Sequence, residues 1–334
     1  MVTWLLLLAG PAMAGGDTGG MPTVPVRLIA IEGPLAGRQA EVSGMTWQGD
    51  TLVILPQYPD RFGKDGKLGF FTIGKQTILD ILDGVAPEPV KPRLVYCRAP
   101  GLEDAMRGFN GLEAVGCIGD RYYMTVEAKG DTAMAGFLVT GRYDHVNGLL
   151  VMDMTRLTSI PLGLNIFNIA EEAIIIDGER VITLGEANGR NVNPEPQAKV
   201  FNADAELVGL IPMPNIEYRL TDATALDENG RFWVINYYFP PERAKLNPAP
   251  DGELARFGDP DSYDPDQCIE RLLELRLTAD GRIVRTETPP LNLELLPDGE
   301  CRNWEALVRL DDRGFLLMTD KYPGTLLAFV PWPR

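Results

Sequence analysis

Histidine is almost missing from this chain: His145 is the single one in 334 residues. It falls in GRYDHVNG (141–148), a turn between two strand-like runs. A Ser-His-Asp triad elsewhere in the fold is therefore not expected, nor is a histidine-built zinc site. Cations are scarce, with 31 Lys and Arg against 47 Asp and Glu, a net charge of −16. That balance argues against nucleic acid or an anionic membrane as partner of the bulk surface. No apolar run approaches the ~18 residues of a membrane span. A G-x-S-x-G elbow, a Walker loop and a dinucleotide fingerprint are also missing. Cysteine is limited to four residues.

Glycine (35) and proline (27) are plentiful and spread along the chain, as many turns between short strands require. The opening MVTWLLLLAGPAMAGGDTGG has an apolar run, Trp4 to Ala9, ahead of Ala12-Met13-Ala14. This reads as a signal peptide over 1–14, followed by a flexible stretch at 15–23 and one domain over 24–334. The expected location is secreted or periplasmic, where the cysteines would form disulfides.

Five stretches share one pattern: SGMTWQGDTLVILPQYPDR (43–61), LEAVGCIGDRYYMTVEAKG (112–130), EEAIIIDGERVITLGEANGR (171–190), TDATALDENGRFWVINYYFP (221–240) and WEALVRLDDRGFLLMTDKYP (304–323). Each is an apolar strand, a polar turn with Gly, a second apolar strand and a polar residue, the mark of a β-hairpin. Two further strand-like runs follow each of the first four. The fifth is followed by TLLAFVP alone, and VPVRLIAIEG near the N-terminus can supply its missing strand. This predicts an all-β fold, a five-bladed β-propeller of four-stranded blades closed by the N-terminal strand. A six-bladed propeller is the alternative.

In such a disc the start of each first strand and the end of each second strand share one face. Aligning the hairpins gives an inner ring of Ser43, Glu113, Glu172, Thr221 and Glu305, with Asp222 competing for the place of Thr221 through a one-residue bulge. The outer ring is Gln57, Glu127, Glu186, Asn236 and Asp320. Carboxylates ~5 Å apart repel by roughly 3 kcal/mol per pair at an effective dielectric of ~20. A calcium ion held by the inner ring and Asp222 is the expected remedy. Glu127, Glu186 and Asp320 are candidate general bases. The same face is expected to carry Arg61, Lys129, Arg190, Arg243 and Lys321 after the hairpins, and Arg107, Arg219 and Arg302 before them. Of these, Arg61, Lys129, Arg190, Arg302 and Lys321 are the candidates to bind a small anionic, phosphorylated substrate. A long insertion in the fourth blade, 237–268, leaves from this face as a lid. Cys268 ends it and Cys301 enters the next blade, so these two are the expected disulfide; Cys97 and Cys117 form a second pair or stay as buried thiols.

The hairpins NWEALVRLDDRGFLLMTDKYPGTLLAFVP and GLEAVGCIGDRYYMTVEA resemble those of a phytase-like group of secreted bacterial proteins described as having esterase-like activity of phytase. The resemblance implies an exported propeller that hydrolyses phosphate or carboxylate esters. The ring of Glu, Ser and Thr also resembles the central calcium site of calcium-activated nucleotidases, the soluble apyrases. Together these lead to the expectation of a monomeric, calcium-dependent hydrolase of a phosphate ester or anhydride using metal-activated water. The alternatives are a carboxylester or lactone hydrolase, and a non-enzymatic binding propeller with a structural metal.

Overall fold

The computed structural model describes residues 20–102, 108–130, 133–259 and 264–333. The expected signal peptide and Arg107 lie outside the described residues. The strands fall into antiparallel units, four of them four-stranded and the fourth in chain order larger. The first is Val42–Gln48, Thr51–Pro56, Leu68–Gly74 and Arg93–Arg98, and the second is Phe109–Ile118, Arg121–Lys129, Met134–Asp144 and Leu149–Ile160. The third is Glu171–Asp177, Arg180–Gly185, Gln197–Phe201 and Leu207–Pro212. The fourth begins with Arg219–Ala223, Arg231–Tyr238 and Ile269–Leu277, on which Ile283–Arg285 and Leu291–Leu293 both pair. The fifth is Trp304–Leu310, Gly314–Thr319 and Leu327–Pro331, completed by Arg27–Ile29. The first strands touch one another in a closed circuit, so the units stand as propeller blades around an axis.

Each turn carries the chemistry that the strands need. Gly49, Gly119 and Gly178 sit at positive φ in three of the tight hairpins, a conformation that a Cβ disfavours. The core lies in wedges between neighbouring blades. Val42, Ile54 and Phe71 of the first blade meet Val308, Leu316 and Met318 of the fifth. Ala173 and Ile182 of the third meet Phe232 and Leu273 of the fourth. Burying each such side chain contributes roughly 1.5–3 kcal/mol, and the blades are held together mainly through these wedges.

The N-terminal segment does more than close the last blade. Arg27, Leu28 and Ile29 pair antiparallel with Phe329, Ala328 and Leu327, as expected. Just before them, Thr23–Val24 runs parallel to Leu291–Leu293 of the fourth blade, so one segment staples two blades. The first two blades are also joined at their rims, where Leu150 and Val151 pair in parallel with Cys97 and Arg98. A helix at Lys75–Leu82, not anticipated from the sequence, packs Ile78 and Ile81 beneath the first blade. No helix among the described residues is long and apolar enough to cross a membrane.

Candidate functional site

Every first strand is bulged at its mouth. The pairing register skips Ser43, Glu113, Glu172 and Glu305 in four blades, and both Thr221 and Asp222 in the fourth. A bulged residue is left out of the ladder and its side chain is re-aimed. The bulges thus gather the inner-ring residues, all buried, at the channel. Two hydroxyls lace the ring together: Ser43 Oγ donates to Leu112 O and Thr221 Oγ1 to Trp304 O, both at 2.6 Å. In each case the acceptor precedes the ring residue of the neighbouring blade.

Asp222 plays a different part from the ring. Its carboxylate accepts from the backbone N–H of Ala223 at 2.8 Å and of Leu307 at 2.7 Å, and is also bonded by the backbone of Met45. It therefore ties the fourth blade to the fifth and first across the channel. Burial pushes its pKa up, and the backbone donors oppose that.

The cation at the centre is a side chain of the protein. Arg219, at the start of the fourth blade's first strand, donates through Nε to Glu186 Oε1 and through Nη2 to Glu305 Oε1 at 3.1 Å. Its Nη1 donates to Asn303 Oδ1 at 3.3 Å and lies 3.8 Å from Glu242 Oε2 of the insertion. One guanidinium thus bridges three blades and the insertion, using the fork geometry that suits arginine to carboxylates.

Compensation is uneven among the acids. Glu113 is pushed well above the usual carboxylate range by burial and by Glu127, with Gln57 Nε2 donating to both of its oxygens at 3.0 and 3.2 Å. Glu172 is also pushed well above that range, by burial and then by Glu186, Glu113 and Glu305, with the charge of Arg219 opposing them. Glu186 is raised by burial, but Arg219 and Lys245 pull it back. Glu305 is raised well above its ordinary value by burial, again opposed by Arg219. Glu127 is raised by burial, against the Asn110 amide that donates to its Oε2. Asp320 is pushed to about 6, chiefly by burial. Four oxygens at this mouth are buried without a hydrogen-bond donor: Glu127 Oε1, Glu186 Oε2, Glu242 Oε2 and Asp320 Oδ1. Such groups carry a desolvation cost of ~1–3 kcal/mol each unless something is bound.

The five cations expected to bind an anionic substrate do not gather around Arg219, although the charge of Lys129 is felt by Glu127. Arg302 is buried in an ion pair with Glu270, its Nε 2.8 Å from Oε2. Arg61 and Lys321 both turn to Glu41, at 2.9 and 3.0 Å. Lys129 is exposed, over the Phe167 ring, and Arg190 is exposed, with its backbone N–H donating to Glu217. The calcium expectation finds no ready-made cage: among the described residues no three or more Asp, Glu, His or Cys groups are arranged to hold a metal ion. Arg219 supplies positive charge where calcium was expected to.

The insertion folds over this face. Its short helix Arg243–Leu246 buries Leu246 against Ile169, Ala187, Tyr218 and Tyr238. Lys245 donates to Asn168 O at 3.1 Å and Glu242 Oε1 at 3.2 Å. Asp251 caps the helix Gly252–Phe257 and forms a buried bidentate pair with Arg271, whose Nε donates to Asn236 Oδ1. Cys268 and Cys301 are disulfide-bonded as expected, with Cα atoms 5.7 Å apart. Cys97 and Cys117 are free thiols.

Sequence reasoning placed Arg219 among the cations of the carboxylate face without giving it a role, and missed Glu242 and Lys245. Arg219 lies two residues before Thr221, on the same side of a strand of period 2, and that spacing was the available signal. Nothing local marks Glu242 and Lys245, because the insertion's path over the mouth is set by distant contacts.

No family model and no curated protein matches the chain. Similar solved structures include a Myxococcus xanthus glutaminyl cyclase, at 9% identity, 92% of this chain, 99% of the other and a TM-score of 0.44. The endo-arabinanase of Bacillus licheniformis is 10% identical over 92% of this chain and 97% of its own, with a TM-score of 0.46. An α-L-arabinanase of Cellvibrio cellulosa is 12% identical over 88% and 95%, with a TM-score of 0.45. These are distant likenesses, and no activity is read from them. The resemblance drawn from the hairpins is corrected by the family comparison: no family model, phytase-like or nucleotidase, matches the chain.

Proposed function

We propose that the chain is a hydrolase that uses buried carboxyl groups as general acid and general base on a hydroxyl-rich, glycoside-like substrate. One observation carries this reading: Arg219 bonds Glu186 directly and no cation bonds Glu172, although burial raises the pKa of both. Glu172 has no cation bonded to it and favours its protonated form, as a general acid requires. Glu186 is held towards its ionised form by Arg219, with Oε2 free of donors, as a base or nucleophile requires. Carboxyls that are both raised by burial but paired to different extents suit an acid–base division of labour, and glycoside hydrolysis uses two carboxyl groups. Glu172 would give its proton to the leaving oxygen while Glu186 takes one from the attacking water. Glu127 Oε1 and Asp320 Oδ1 would accept substrate hydroxyls. A phosphate ester fits poorly, because the mouth is dominated by carboxylates and the candidate phosphate-binding cations are dispersed or already paired.

The test is a panel of aryl glycosides, with carboxyl esters as a second arm. Turnover of at least one glycoside is expected, falling about 10²–10⁴-fold in Glu172→Gln and in Glu186→Gln. Turnover that both variants retain, or none on any glycoside, would overturn the reading.

A further inference from the structure

The wedge between the first and second blades does not close at the end away from the channel mouth. The first blade's first strand leaves the mouth at Ser43 and ends at Gln48, and beside Gln48 a cavity of about 200 Å³ opens between the two blades. Strand register explains its first wall. Val53 pairs with Thr72 and Thr72 with Arg93, while Phe70 pairs with Val95. Residues directly opposite in an antiparallel ladder project to the same face, and so do residues two apart along a strand. These five side chains therefore all face the second blade, which supplies Tyr122, Tyr143 and Leu150 as the other wall. Val53, Phe70, Tyr122 and Leu150 are at most 5% exposed and make an apolar floor. The polar groups nearby are already engaged. The Tyr122 hydroxyl donates to Gln48 Oε1, and Gln48 Nε2 donates to Gly119 O at 3.1 Å and to Asp120 Oδ1 at 3.3 Å. Asp120 Oδ1 in turn lies 2.9 Å from His145 Nε2. Arg93 is different. It is exposed at the rim, is the one charged side chain on the cavity wall, and has no acid paired with its guanidinium among the described residues.

We infer that this cavity binds a small apolar molecule carrying one carboxylate, of the aryl-alkanoic acid class, with its ring against Phe70 and Tyr122 and its carboxylate in the fork of Arg93. An apolar floor with one placed polar group is the general make-up of a small-molecule site, and a guanidinium matches a carboxylate with two parallel hydrogen bonds. A doubly charged phosphate asks for more than one cation, and this wall has one. The net charge of −16 opposes anions at long range, a repulsion that ~0.15 M salt screens beyond about 8 Å. The site lies at the other end of the strands from the channel mouth and does not depend on the hydrolase reading.

Binding of 3-phenylpropionate and of its neutral counterpart 3-phenylpropanol is measured by calorimetry on the full chain near pH 7 in ~0.15 M salt. The acid is expected to bind with a Kd of about 1 mM or tighter, and about tenfold more tightly than the alcohol, as one charge-assisted hydrogen bond provides. Arg93→Gln is expected to bring the acid down to the affinity of the alcohol and to leave the alcohol unchanged. Val95→Phe, which fills the cavity from its half-buried rim, is expected to abolish binding of both. Thermal unfolding of each variant separates a lost contact from a lost fold, and Arg93→Gln, at an exposed position, carries the test if Val95→Phe does not fold. Equal affinity for acid and alcohol in the parent overturns the inference. So does acid binding that survives Arg93→Gln or a folded Val95→Phe undiminished, or no acid binding up to about 10 mM.

Discussion

Arg219 Nη2 lies 3.1 Å from Glu305 Oε1, joining the first strands of the fourth and fifth blades at the mouth of the channel. Its Nε holds Glu186 of the third blade. A buried guanidinium with two buried carboxylates is expensive to assemble and more expensive to break, because each partner removed leaves an unopposed charge. Arg219→Met is therefore expected to destabilise the fold by about 3–5 kcal/mol in urea unfolding near neutral pH. The loss should shrink in acid, where the stranded carboxyls take up protons. A loss that does not change with pH would show that Arg219 acts through packing alone.

Stability should fall as pH rises. Asp320 moves from an ordinary 3.8 to about 6 in the folded protein, and Glu113, Glu172 and Glu305 are raised well above 4.5. The folded state then holds more protons than the unfolded one between the two values. The contribution from these groups is complete below the unfolded pKa and is lost as pH climbs through the folded pKa. For Asp320 that window runs from about 4 to about 6, and for the three glutamates it extends higher. Glu172→Gln should flatten the slope and be more stable than the parent at about pH 8. Calorimetric melting temperatures across this range provide the check; a parent whose stability rises through the window contradicts the burial of these groups.

The disulfide should matter to the insertion first. Cys268 and Cys301 are 33 residues apart, and closing a loop of that length stabilises by about 3–4 kcal/mol in the chain-entropy account. The double Cys→Ser variant is expected to melt earlier and to be cut by protease within 239–268 before any blade is cut. Simultaneous loss of all blades would mean that the bridge supports the whole ring.

Much of this arrangement could be read locally. The hairpin turns at Gly49, Gly119 and Gly178 and the polar residue at each strand mouth, acidic in Glu113, Glu172 and Glu305, are short-range signals from which the ring was drawn. What could not be read depends on contacts between distant segments. The parallel pairing of Thr23–Val24 with Leu291–Leu293 joins segments at opposite ends of the chain, and a two-residue strand has no periodicity to detect. Asp222 and Thr221 were seen as rivals for one place, whereas the fourth blade's wider bulge releases both and gives them separate tasks. Calcium followed from charge repulsion, from the oxygen ligands of the ring and from the nucleotidase resemblance; Arg219, whose reach to Glu186 depends on the folded third and fourth blades, adds a positive charge that the argument did not include.

Gly111 gives a local test of the second blade's mouth. It sits at φ +140°, and a Cβ there would come 2.5 Å from Gln57 Cγ and 2.9 Å from Glu113 Oε1. Gly111→Ala should push Gln57 off Glu113 and destabilise the fold by about 1–3 kcal/mol. A neutral effect in chemical unfolding would mean that the bulge relaxes and the contact between Gln57 and Glu113 is dispensable.

The account turns on Glu172, whose pKa burial and then the neighbouring acids push well above the ordinary carboxylate range. Infrared difference spectra of the parent against Glu172→Gln, at neutral pH in heavy water, observe its proton directly. The account predicts a protonated-carboxyl stretch in the parent that disappears in Glu172→Gln and persists in Glu186→Gln. A parent spectrum with carboxylate bands alone would contradict it.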